Sequence, residues 1–199
     1  MKTKKKKFSP EGFTLIEMLV VVGIAAFIVL ALLSLYTWGQ KYFISQSARA
    51  DNLRAGRHVL NWISRDIKEG IEVLSSYNTY TASDSCLILK VPSVDSSGVI
   101  IDIANDVDYI IYRPNPSYSN RLERIVDAKD GVSSRSDVTR TVADKVGSIV
   151  FSSGGIGLGS VSDFTQVFSV NVALTNRQSW MGKTYQDTFN TMIKLRNKS

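Results

Sequence analysis

From Phe13 to Tyr36 the chain reads FTLIEMLVVVGIAAFIVLALLSLY, 24 residues carrying a single charge, Glu17. As a helix this run extends roughly 36 Å, enough to cross a hydrocarbon core about 30 Å thick. Core helices of soluble domains rarely run so far without a polar side. The apolar region of a secretory signal is shorter, about 7–15 residues, and leads to small residues at a cleavage site. Here the run ends in Tyr36, Thr37 and Trp38. The segment reads as a membrane span. Lys2 and Lys4 to Lys7 precede it, and the positive-inside rule then puts the N-terminus in the cytoplasm and the remainder on the far side.

The overall charge of +6 invites a nucleic-acid reading, but its distribution argues against one. Residues 1–12 hold five lysines against Glu11. Of 24 basic residues 19 remain after the leader, and of 18 acidic ones 17 remain. Beyond residue 12 the chain is close to neutral, so nucleic-acid binding is not expected. The single cysteine, Cys86, forbids an intrachain disulfide, and the single histidine, His58, forbids a site with two His ligands.

Glu17 is the anomaly of the span. A carboxylate in an apolar helix costs a few kcal/mol or more and normally marks function or a partner. Lying one turn into the segment, it can snorkel to the interface. A second solution is a cation at the same depth. A cut between Gly12 and Phe13 would create an α-amino group one turn before Glu17, able to pair with Glu17 of a neighbouring subunit. The string Gly12-Phe13-Thr14-Leu15-Ile16-Glu17-Met18-Leu19-Val20, after a lysine-rich leader, resembles the class III signal of type IV pilins and type II secretion pseudopilins. The resemblance covers about residues 1–40. It implies cleavage after Gly12 by a prepilin peptidase, N-methylation of Phe13, and a role for Glu17 in docking the subunit into a filament. Gly12 also leaves the backbone open to a protease.

Beyond the span, helix formers continue through GQKYFISQSARADNLRAGRHVLNWISRDIKEG. Leu53, Leu60, Ile63 and Ile67 recur at helical spacing with Gly56 and Val59 beside them, while Arg54, Arg57, Arg65 and Lys68 lie mostly off that stripe. Arg65 and Glu69 are spaced to pair, Lys68 and Gly70 mark a stop, and Gly39 offers a place to bend. From residue 71 the period changes to two. Strands are expected at 86–91, 98–103, 107–113, 121–128, 146–152, 166–175 and 184–197, with turns at 93–98, 113–120 and 152–160. The expected fold is α+β and pilin-like: one long N-terminal helix packed on a mainly antiparallel sheet. Its parts are a basic leader (1–12), a transmembrane helix (13–36), an amphipathic continuation (37–70) and a β-rich domain (71–199).

The order NWISRDIKEG, a Tyr-rich strand with Tyr109 and Tyr112, RLERIV, VADKVGSIVF and a terminal strand ending Leu195-Arg196-Asn197 resembles J-type minor pseudopilins and the related PilW-type minor pilins. That resemblance implies a non-enzymatic minor subunit at or near the tip of a type II secretion pseudopilus, helping initiate assembly for protein export. Its implied partners are sister pseudopilins or pilins, a prepilin peptidase and an inner-membrane assembly platform. Its implied place is the inner membrane, single-pass, with the globular domain outside the cytoplasm. The alternative is a minor type IV pilin acting in pilus assembly or as a surface- or DNA-binding module, with Tyr112, Tyr118 and Trp180 as contacts.

Other candidate chemistry is thin. SSGGIGLGS (152–160) lacks the spacing of a phosphate loop and reads as a flexible surface loop. His58, between Arg57 and Val59, reads as a solvated or partly packed side chain. Asp102, Asp106 and Asp108 lack the glycine and terminal Glu of a calcium loop and read as a solvated hairpin end. Trp62 and Trp180 suit a core or an interface, and Cys86 a buried small residue. No catalytic residue, cofactor or metal is expected.

Overall fold

The computed structural model describes residues 12–102, 105–180 and 182–196, with the side chains of Trp180 and Lys183 left undescribed. A single helix, α1, runs from Leu15 to Glu69 and continues through Gly23, Gly39 and Gly56. No proline interrupts it, and it ends where the Gly70 amide donates to Ile67 O at 3.0 Å. The strands that follow are β1 (Glu72–Val73), β2 (Ser76–Tyr77), β3 (Tyr80–Thr81), β4 (Leu87–Pro92), β5 (Val107–Pro114), β6 (Leu122–Asp127), β7 (Val138–Ala143), β8 (Val146–Ser153), β9 (Ile156–Gly157), β10 (Ser169–Trp180) and β11 (Lys183–Lys194). All pair antiparallel, in sheets ordered β1-β4-β5-β6-β7 and β11-β10-β8-β9 and a small β2-β3 hairpin. One long helix packed on antiparallel sheets is an α+β, pilin-like layout.

The chain divides into two compact units, Met1–Ser47 and Ala48–Ser199. In the first, the described residues are almost entirely helix, and its apolar side chains from Phe13 to Phe43 are exposed. In the second, α1 buries Ala48, Asn52, Gly56, Val59, Ile63, Asp66 and Ile67, a stripe at steps of three and four. The main core joins Val59, Ile63 and Ile67 to Leu87, Leu89, Ile110 and Tyr112 of the first sheet and to Ile149, Phe151, Val172 and Leu174 of the second. A second cluster of Ala82, Cys86, Ile88, Ile111 and Ile125 fills the other face of the first sheet, with Tyr77 and Tyr80 of the small hairpin against it. Strands β4 and β5 are therefore buried on both faces at their centres, which is why Leu87 to Leu89 and Ile110 to Tyr112 read as short runs without alternation. Gly56 is required by contact: a Cβ there would strike the Phe189 ring of β11.

Two polar joints fasten the first sheet to the helix. Asp66, 1 % exposed, accepts from the Tyr112 hydroxyl at 2.6 Å and from Arg124 Nε at 2.5 Å. Arg135 reaches Asp108 Oδ2 at 2.7 Å and Glu69 Oε2 at 3.2 Å. Burial and the Asp66 carboxylate together push the Tyr112 hydroxyl far above its ordinary pKa, so it stays a donor. On the other face Tyr77 stacks on Tyr109 with ring centroids 3.7 Å apart, and burial plus its bond to Asp127 push its hydroxyl up to about 12.

Several local expectations need correction. Residues 98–102 form no strand; one isolated bridge, Val94 to Ile100, is all the pairing there, and residue 103 lies outside the described residues. Since Pro92 already pairs with Val107, the chain between them is an excursion from the ladder, with no neighbouring strand to receive Val99, Ile100 and Ile101. The run at 152–160 is a built hairpin, not a flexible loop. Gly154 and Gly155, at φ +58° and +86°, form the two-residue turn between β8 and β9. Gly159 N donates to Asp84 Oδ1 at 2.9 Å, and Gly157 lies so close to that carboxylate that no Cβ fits. Strand β7 was not expected.

Candidate functional site

The N-terminal signal is built from consecutive residues at the start of α1. Gly12, Phe13 and Thr14 precede the helix, and Phe13 is 78 % exposed. Among the described residues a Cβ at Gly12 would meet nothing within 4 Å, so they make no steric demand for glycine there. Thr14 is the N-cap: its carbonyl accepts from Met18 N at 3.2 Å. Its amide and its hydroxyl both donate to Glu17 Oε2 at 2.9 Å, and Glu17 N donates to the Thr14 hydroxyl at 3.3 Å. This is a reciprocal capping box, Thr-x-x-Glu, satisfying helix-end donors that have no intrahelical acceptor. Such satisfaction matters most in lipid, where water cannot supply it.

The two carboxylate oxygens of Glu17 therefore differ. Oε2 is committed to Thr14, whereas Oε1 makes no hydrogen bond among the described residues. Thr14 has no role among the sequence expectations, although T-L-I-E spells the capping box in the open. From Leu15 onward the helix is long and apolar enough to cross a membrane, and none of its most apolar stretch is buried.

The other candidate residues are dispersed. His58 is exposed, tilted against Trp62 at 6.1 Å. Asp108 is fully buried, which corrects the reading of a solvated hairpin end. It accepts from Ser93 Oγ, Lys129 N, Ser133 Oγ and Arg135 Nη1 at 2.7–2.9 Å. Burial opposes ionisation, but those four donors outweigh it and hold the carboxyl below its ordinary value. Asp106 pairs with Lys129 Nζ at 2.6 Å, and Asp102 accepts from Asn105 at 3.0 Å. No group of carboxylate, His or Cys side chains suited to a metal occurs among the described residues. Tyr112 is no surface contact: it is fully buried with its hydroxyl on Asp66. Tyr118 is 55 % exposed under the Arg121 guanidinium at 4.4 Å. The side chain of Trp180 lies outside the described residues. Cys86 is buried, and burial pushes its thiol pKa up, away from reactivity.

Residues 10–33 match the family model of the prokaryotic N-terminal methylation motif. The chain thus carries a type IV pilin-like prepilin signal, and with it the expectation of processing by a prepilin peptidase and assembly with other pilins. No curated protein and no solved structure matches the chain significantly.

Proposed function

We propose that this chain is a minor pseudopilin: a structural subunit, not an enzyme, at or near the tip of a type II secretion pseudopilus, where it helps start the filament for protein export. A prepilin peptidase cuts between Gly12 and Phe13, Phe13 is N-methylated, and the lysines stay on the cytoplasmic side of the inner membrane. The β-rich domain lies on the other side, and the exposed apolar helix is the surface that sister subunits and the assembly platform receive. The observation that carries this reading is the methylation motif, in which Glu17 is capped through one oxygen by Thr14. With Oε2 so held, Oε1 offers a fixed charge to the new amine of a neighbour, an ion pair that low dielectric strengthens.

The test uses two variants of the full chain co-expressed with sister subunits. Glu17→Gln keeps the helix and a capping acceptor but loses the charge, so membrane insertion is expected to persist while recovery in filament fractions falls at least tenfold. Thr14→Val removes the hydroxyl but keeps the amide bond to Glu17, and is expected to reduce incorporation severalfold with insertion intact. Undiminished incorporation of Glu17→Gln refutes the docking role. A second reading, a minor type IV pilin of PilW type that binds a surface or DNA, draws on the exposed Tyr118–Arg121 stack. Salt-dependent DNA binding lost in Tyr118→Ala would favour it.

A further inference from the structure

Strand β7 closes one side of the first sheet. It pairs with β6, and among the described residues no hydrogen bond from Val138 to Ala143 leads anywhere else. Such an edge presents alternate N–H and C=O groups to any chain that reaches it, and proteins usually blunt it with Pro, Lys or bulges. β7 reads VTRTVA, with no Pro and no Lys; its one irregularity is at Val142, where the ladder passes from Thr141–Glu123 to Ala143–Leu122, and Val138 to Thr141, ahead of it, are all exposed.

Its one charge is oddly placed. Arg140 lies directly opposite Arg124 on β6, a like-charge cross-strand pair. Both guanidiniums and that of Arg65 gather on Trp62 of α1, at 6.0, 5.6 and 5.6 Å from the ring centroid. Asp66 neutralises Arg124, and Glu69 is divided between Arg65 at 3.7 Å and Arg135 at 3.2 Å. Arg140 has no carboxylate among the described residues. Three cations thus surround one indole, and the one without a counter-ion sits on the strand with the open edge. A second copy of this chain is the wrong occupant. Two-fold pairing of β7 with itself would bring Arg140 opposite or diagonal to its own copy, a repulsive arrangement.

We propose that β7 is a β-augmentation site for an extended acidic segment of a different subunit, pairing through its backbone while an Asp or Glu side chain meets Arg140 beside Trp62. Backbone pairing gives affinity in such complexes and the side-chain contact gives selectivity. The source of the segment, a sister subunit, rests on the filament reading; the binding chemistry and its test do not.

The isotope-labelled full chain in detergent micelles is titrated with a short alternating Val/Thr peptide bearing a central Glu, followed by amide and indole NMR. Comparators are the central-Lys peptide, two alternately N-methylated Glu peptides that block opposite edges, and a DNA duplex. Shifts confined to residues 138–143 and the Trp62 indole are expected. The Lys peptide is expected to bind at least tenfold more weakly, and one N-methylated peptide to lose binding while the other keeps it. Arg140→Glu is expected to reverse the Glu-over-Lys preference, which a misfolded variant cannot do. Absent binding, equal affinity for Glu and Lys peptides, or two N-methylated peptides that bind alike would overturn the site. Tighter occupation of the same residues by DNA would also overturn it, in favour of a phosphate-binding surface.

Discussion

Replacing Asp66 by Asn removes one charge from the helix–sheet joint and almost nothing else. Oδ2 accepts both the Tyr112 and Arg124 bonds, while Oδ1 has no partner, so an amide fits with its nitrogen at the idle position. Hydrogen bonds to charged groups contribute about 1.5–3 kcal/mol and neutral ones about 1, so two weakened bonds cost roughly 2 kcal/mol. Arg124, its side chain 12 % exposed, then faces Arg140 with no counter-charge, which adds about 1 kcal/mol. The expected loss is about 3 kcal/mol, and with a urea slope near 2 kcal/mol per molar the unfolding midpoint falls by roughly 1.5 M. The assay is urea unfolding of the full chain in micelles, followed by the circular dichroism of the β-rich unit. Asp66→Asn with Arg124→Met relieves the repulsion and is expected to recover about 1 kcal/mol over Asp66→Asn alone. A midpoint shift below about 0.3 M, or a double variant no better than the single, would refute the joint as described.

Two further outcomes follow from packing and charge. Gly56→Ala is expected to destabilise the intact protein, since its Cβ meets the Phe189 ring. In a Phe189→Ala background the same substitution is expected to stabilise by about 1 kcal/mol, the helix preference for Ala over Gly; unfolding midpoints of the four chains decide this. Asp108 gives a pH dependence. Its carboxyl is held below the ordinary value of about 3.8, so its contribution is complete above that value and lost as pH falls through the lower, folded one. The acid-induced loss of stability is expected to be smaller in Asp108→Asn, which should lose less between pH 5 and pH 2 than the unaltered chain does.

How much of this was legible depended on where the physical cause lay. The helix and strands β4, β5, β6 and β8 follow from apolar periodicity, and the helix stop from Lys68 and Gly70. Periodicity reports burial, so it failed wherever burial and pattern part company. Val99, Ile100 and Ile101 have strand chemistry but no neighbouring strand, and remain exposed. β7 has the reverse problem: as an exposed edge of Thr and Arg it shows no apolar alternation, and only the ladder to β6 makes it a strand. Asp66 and Asn52 lie on the buried face of α1 among apolar neighbours because their partners, Tyr112, Arg124 and Asp187, arrive from more than 45 positions away. No local pattern announces such pairs. The signal at the helix start is local in every respect, and there the sequence and the geometry speak of the same residues, with Thr14 added to Glu17.

The most direct measurement is intact-mass and terminal-peptide mass spectrometry of the mature protein from membranes of cells that contain a prepilin peptidase. Processing as proposed predicts a chain that begins at Phe13, heavier by one methyl group on its α-amine. A chain that keeps its leader or starts at any other residue would contradict it.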